Sequence, residues 1–228
     1  MIKKQIILSL VVLIVIMTVF ELTPLDLAVQ NYFYNFDQHH WLLVMDKQSL
    51  VHFIFYDGIK RLLLIFEVTL LIILLFFREA EWVKKTKAGL IIVFISMIVV
   101  PSVASSIKGL SNVACPGSLT NYGGYLPYVH VFDAYPIGQE PSKNERCFPA
   151  GHASGGFALL SLYFLAGSAR RRKQALVFAL SVGWLMGGYK MLVGDHFLSH
   201  TLVSMVLAWL LTNLVALMVK SRMLNRYQ

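Results

Sequence analysis

Charge is scarce in this sequence. Of 228 residues only 14% are Asp, Glu, Lys or Arg, where a soluble domain carries about 25%. Half the usual charge cannot coat a water-facing surface, which excludes an ordinary soluble globular domain. Cysteine is limited to two residues, so the chain offers no Cys ligand set for a metal. A small-x-small cleavage site is also missing after the first apolar run, where Glu-Leu-Thr-Pro follows, so that run reads as an uncleaved anchor and not a signal peptide. What the chain has in abundance is apolar sequence: 57% hydrophobic residues and a mean hydropathy of +0.65, in runs that approach the roughly 20 residues needed to cross a bilayer.

The expected architecture is therefore all-α: one integral membrane domain over residues 1–228 with six transmembrane helices, at Gln5 to Phe20, Leu62 to Phe77, Ala88 to Ile107, Ala153 to Ala169, Gln174 to Val193 and Thr201 to Val219. The net charge of +8 does not point to nucleic acid, because the basic residues sit in short clusters between the apolar runs. With both termini cytoplasmic, 13 of the 20 basic residues fall on the inside, as the positive-inside rule requires. The implied location is a bacterial inner membrane, with the bilayer itself as a partner.

Two long segments face outside in this topology. Leu25 to Tyr56 is rich in aromatics, whose amphipathic rings favour the headgroup level, so short interfacial helices and an anchoring belt are expected there. His39 and His40 within it have no partner at metal-ligand spacing. Lys108 to His152 is long and punctuated by Pro, Gly and Asn, and unstructured loops of that length are usually functional. It contains both cysteines, Cys115 and Cys147, in the compartment where a disulfide persists; the alternative is two buried thiols.

Polar residues cluster at the outer ends of the last four spans. They are Lys108 with Cys115 and Pro116, then Pro149-Ala150-Gly151-His152, then Tyr189-Lys190 with Asp195, His196 and His200. In FPAGHASGG a turn leads into a helix start whose backbone N–H groups, near Gly151, suit a phosphate oxygen, while Ala153 to Gly156 allow close helix approach. With a helix starting near Gly194, His196 and His200 would share one face and Asp195 would project elsewhere. An imidazole there can attack phosphorus if a neighbour orients it.

Together these segments resemble the membrane-bound type 2 phosphatidic acid phosphatase superfamily, with its motifs K-x6-R-P, P-S-G-H and S-R-x5-H-x3-D in order and in spacing. The resemblance implies a metal-independent enzyme without cofactor. In it His196 is the nucleophile that becomes a phosphohistidine, His152 the general acid, and Lys108 and Lys190 clamps on the phosphate. It implies as substrate a membrane lipid phosphate at the outer leaflet: polyprenyl diphosphate, lipid A phosphate or a glycerophospholipid phosphate. Four positions depart from the pattern: Cys115 and Lys190 stand for Arg, Ala150 for Ser and His200 for the closing Asp. An ammonium or a sulfur lacks the bidentate fork of a guanidinium, so Arg146, or Arg61 with Lys60 at the outer end of span two, is expected to restore one. A neutral His200 can orient His196 but not compensate its charge. Hydrolysis and lipid-to-lipid phosphotransfer both remain open, as do a His-based metal site and a catalytically degenerate binding protein. Glu67, inside span two, has no assigned role.

Overall fold

The computed structural model describes residues 2–44 and 50–224, and the side chains of Tyr56 and Leu224 lie outside that description. Lys47 and Arg226, both counted in the charge bias, lie outside it too. The chain is mostly helical. It begins with α1 (Ile2–Leu22), followed by the short α2 (Leu25–Gln30) and a two-stranded hairpin of β1 (Tyr34–Asn35) and β2 (His40–Trp41). Next come α3 (Leu50–His52), which continues through a π-helical stretch into α4 (Ile59–Phe76), and then α5 (Glu81–Leu110). A non-helical excursion with two 3-10 turns separates α5 from α6 (Gly151–Phe157), which passes through a 3-10 turn into α7 (Leu162–Leu165). Finally α8 (Ala169–Leu192) and α9 (Leu198–Leu224) complete the bundle.

Among the described residues, four helices are long and apolar enough to cross a membrane: Ile2–Leu22, Glu81–Leu110, Ala169–Leu192 and Leu198–Met223. They correspond to four of the six expected spans. The second, α4, has 18 residues but carries Lys60, Arg61 and Glu67. The fourth is assembled from pieces of 7, 4 and 4 residues, a rise of roughly 25 Å against a hydrocarbon core of about 30 Å. Its glycines explain the broken geometry. A Cβ on Gly156 would lie 2.8 Å from the Gly183 Cα, and one on Gly183 would lie 2.1 Å from the Phe157 ring, so α6 and α8 cross almost backbone to backbone as the small residues predicted.

The core is formed by α5, α6, α8 and α9 through residues such as Val93, Met97, Phe157, Ala179 and Ala208. By contrast α1 leaves Ile7 and Ile14 more than 60% exposed, an apolar outer face of the kind lipid covers.

The interfacial segment differs from a simple aromatic belt. Tyr34, Trp41 and Tyr122 stack edge to face or tilted, with centroids 4.9–5.2 Å apart, and bury themselves with Leu119, Leu126 and Phe197. Their rings pack the loop onto the bundle because each gains more from that contact than from the headgroup level. His39 and His40 are exposed, and His40 is held by Gln38 and the Trp41 carbonyl.

Candidate active site

Lys108 ends α5, and its side chain runs beside Gly151, where a Cβ would meet the Lys108 Cδ at 3.8 Å. Beyond it, Cys115 and Cys147 form the expected disulfide, Cα atoms 5.2 Å apart. The Cys147 N–H donates to the Val113 carbonyl at 3.1 Å, and the Ser111 hydroxyl donates to the Phe148 carbonyl at 2.5 Å. These bonds tie the end of the loop to its beginning, so the Phe148–Pro149–Ala150 approach to α6 is fixed next to the end of α5.

The His-bearing turn is held from several sides. His196 lies in the turn before α9 and not on the helix, because α9 begins at Leu198. Gly194 turns the chain with φ of +78°, and a Cβ there would sit 2.2 Å from the Trp41 ring; only glycine satisfies both conditions. The Asp195 and His196 N–H groups donate to the Lys190 carbonyl at 2.8 and 3.2 Å. The Asp195 side chain, expected to project away from the site, forms an ion pair with the buried Lys190 at 2.6 Å. Gly117 donates to the Gly194 carbonyl at 2.8 Å, and the Cys147 sulfur lies against the Asp195 carbonyl oxygen at 2.8 Å.

His196 and His200 come together: 2% and 1% exposed, with ring centroids 5.7 Å apart and planes tilted by 66°. The Ala150 N–H donates to the His200 carbonyl at 3.2 Å, and the Ser204 hydroxyl lies 3.0 and 2.9 Å from the carbonyls of Ala150 and His200. This joins the second motif segment to the third. Burial, reinforced by His200, Lys108, His152 and Lys190 nearby, holds the His196 imidazole well below its ordinary range. It is therefore neutral at physiological pH, with a lone pair available for attack.

His152, at the start of α6, lines a cleft of about 540 Å³ together with Asp57, Lys60, Arg61, Gly151 and Gly155; Leu63, Leu64, Glu67, Met97, Pro101 and Met186 form the rest of its wall. So Lys60 and Arg61 share the cleft with His152, whereas Arg146 is exposed and joins the site only through its backbone bridge to Val113. Glu67 faces the same cleft from α4. His196 does not line it.

Atoms of Cys147, His196 and His200 lie within 4.8 Å of one another, yet they do not form a metal donor set. The sulfur is consumed by the disulfide, and the Asp195 carboxylate is taken by Lys190. Two imidazoles remain, fewer than a zinc site uses.

Sequence reasoning missed four supports of this turn: Asp26, Gln30, Trp41 and Ser204. Asp26, 5% exposed, accepts from the Ser199 N–H at 2.9 Å and pairs with the Ser199 hydroxyl. Gln30, fully buried, donates to the Met191 carbonyl at 2.9 Å. Thus α2 grips the turn on both sides. No spacing rule connects residues more than 160 positions apart, and these two sit in a stretch that reads as an anchoring belt.

The fold and site define a class: a helical membrane protein that gathers histidines and lysines at one end of its bundle. The chain belongs to the PAP2 superfamily, whose family model matches residues 89–224. The match takes in all three motif segments and leaves α1 to α4 outside. Comparison with curated proteins found no match, and comparison with solved structures found none either. Membership supports phosphatase-type chemistry on phosphoric esters in general, in a protein whose four apolar helices mark it as a membrane protein.

Proposed function

We propose that this protein is an integral-membrane lipid phosphatase that works through a phosphohistidine on His196. The observation carrying this reading is the convergence of the neutral His196, His200 and the lysines at one end of the bundle, beside a cleft that opens on His152. In this reading His196 attacks phosphorus as the bond to the lipid oxygen breaks, and His152 gives that oxygen its proton. Burial and the nearby lysines lower the His152 pKa to about 4, until the phosphate anion sits beside it and raises its affinity for a proton. Water then attacks the phosphohistidine, His152 takes the water's proton, and inorganic phosphate leaves. Lys108, with Lys60 and Arg61 across the cleft, stabilises the charge on the phosphoryl oxygens. Lys190 contributes mainly by anchoring Asp195, since its ammonium is already paired.

The apolar wall of Leu63, Leu64, Met97 and Met186 supports a lipid chain below the phosphate. A six-span topology with both termini cytoplasmic and the cleft facing the outer leaflet accords with the charge bias and with the shared end of the motif segments. Polyprenyl diphosphate, lipid A phosphate and glycerophospholipid phosphates are the candidate substrates. Transfer to a second lipid, in place of water, would use the same intermediate.

The test is phosphate release from these three lipid classes by the detergent-purified protein, with EDTA present and His196→Ala as control. Release by the native protein and none by the variant is the expected result. Equal release from both would remove His196 as nucleophile, and no release from any lipid would favour transfer or binding without turnover.

A further inference from the structure

A phosphohistidine on His196 leaves that ring positively charged in a setting already crowded with cations. Lys108, Lys190 and His152 all act on it unfavourably, and the Asp195 carboxylate is bound to Lys190 at 2.6 Å. The charge needs an anion, and His200, the imidazole beside His196, borders a cavity that carboxylates also line.

There the structure contains a second, very small cavity. Its volume of about 10 Å³ is at the lower limit for a single water molecule. Glu21, Asp26, Tyr128, His130, Ser199 and His200 are among the residues that line it. Nδ1 of His200 and Nε2 of His130 are both buried without a hydrogen-bond partner among the described residues. Orphaned buried nitrogens beside a polar, water-sized space are the setting that holds an ordered water.

Two carboxylates line this space: Glu21, which accepts from the Val131 N–H at 2.9 Å, and Asp26, fixed by two bonds from Ser199, the residue before His200. Phe197 and Leu198 lack a side chain that can cap α9, and Asp26 does so from another helix, accepting an N–H that would otherwise be an orphan.

We infer that Asp26 is the counter-anion of the nucleophile, acting through His200 and one water in the cavity between them. Resting on the phosphohistidine reading above, the inference makes Asp26 a positioning residue that never touches substrate. As His196 bonds to phosphorus, its ring gains positive charge beside the His200 imidazole, whose centroid lies 5.7 Å away. The water carries a hydrogen bond from His200 to Asp26, and no proton leaves the chain.

Asp26 is mostly ionised at neutral pH, since burial raises its carboxyl only to about 6. The charged and titratable groups around it are Glu21 of α1, Tyr122, Tyr128 and His130 of the long loop, and His200 of α9. His130 favours the ionised carboxylate and Glu21 opposes it.

The experiment compares kcat and KM against pH for the native protein, Asp26→Asn, His200→Asp and the double variant, with His196→Ala as control. Asparagine keeps an acceptor for the Ser199 N–H and removes only the charge. Asp26→Asn is expected to lower kcat about tenfold or more, at nearly constant KM, and to abolish the acid limb near pH 6. In the His200→Asp background, where a carboxylate adjoins His196 directly, Asp26→Asn should change kcat by less than about threefold. Equal losses in both backgrounds, or a native-like kcat and pH profile in Asp26→Asn, would overturn the relay. If Asp26→Asn fails to fold, the native and His200→Asp profiles decide alone: an acid limb shared by both refutes it. A fully active His196→Ala would instead refute the phosphohistidine reading itself.

Discussion

Breaking the Cys115–Cys147 bond tests how far the loop holds the site together. The two cysteines are 32 positions apart, and on the chain-entropy estimate a closed loop of that size stabilises the native state by about 4 kcal/mol. For a chain of this length each kcal/mol is worth roughly 2–4 °C. Reduction should therefore lower the melting temperature of the detergent-purified protein by about 8–15 °C. Cys147 is fully buried while Cys115 is partly open, so thiolate reductants are expected to attack at Cys115.

The effect on activity should exceed what melting alone explains. Cys147 is followed directly by Phe148, Pro149 and Ala150, and the Ala150 N–H holds the His200 carbonyl, so the released strand loosens both histidine segments. The assay is a thermal melt and a phosphate-release rate, each measured with and without reductant well below the melting point, with alkylation and mass measurement to prove reduction. Coincident melts of the oxidised and fully reduced protein would refute the stabilising loop, and an unchanged rate would refute its role in holding the histidines.

Other changes probe single contacts. Gly194→Ala combines a left-handed backbone with a clash against Trp41 and should cost at least about 2 kcal/mol of stability together with most of the activity; a native-like melt would show that the turn relaxes freely. Arg61→Ala and Lys60→Ala should each raise KM for a lipid phosphate about tenfold, whereas Arg146→Ala should leave it within about twofold; the reverse ranking would move the guanidinium site to the loop. Because its folded carboxyl titrates near 6, above the 3.8 of an unburied aspartate, Asp26 binds its proton more tightly in the folded state. Its contribution to stability is present below about pH 4 and lost as pH rises through 6, a difference of about 3 kcal/mol. The melting temperature of Asp26→Asn should therefore gain on the native value between pH 4 and 7; a constant difference over that range would contradict the burial argument.

How much of this was legible in the sequence depended on the range of the interaction. Helices showed because apolar runs are local, and four of them stand as expected. Gly156 could be read as a packing residue because a missing side chain has the same meaning in any partner helix, whereas its counterpart Gly183 emerged only from the structure. The placement of His196 was harder. A four-residue spacing suggests one helical face, but Gly194 and the absence of a local cap delay α9 to Leu198, which also swings Asp195 back onto Lys190. Asp26 and Gln30 were beyond reach, since nothing about a carboxylate at position 26 signals a serine at 199. The aromatic stretch misled for a related reason: Tyr34 and Trp41 have the composition of a membrane belt, and only the position of Tyr122 and Gly194 in space turns them inward.

The division of labour within the chain follows from these contacts. The region that matches the superfamily, residues 89–224, contains every group proposed to touch or receive the phosphoryl group as acid or nucleophile. In the reading proposed above, charge from outside it completes the site. Its second lysine, Lys190, is bound by Asp195; Cys115 is in a disulfide; and an imidazole, His200, stands beside the proposed nucleophile. The charges that make up the difference come from residues before position 89. Lys60 and Arg61 add cations on the substrate side of His152, and Asp26 adds an anion on the far side of His200. A phosphoryl-transfer site needs both, positive charge where oxygens gather it and negative charge where the nitrogen loses electron density. In this protein the residues that set the rate and the substrate are to be sought as much in the N-terminal third as in the motifs.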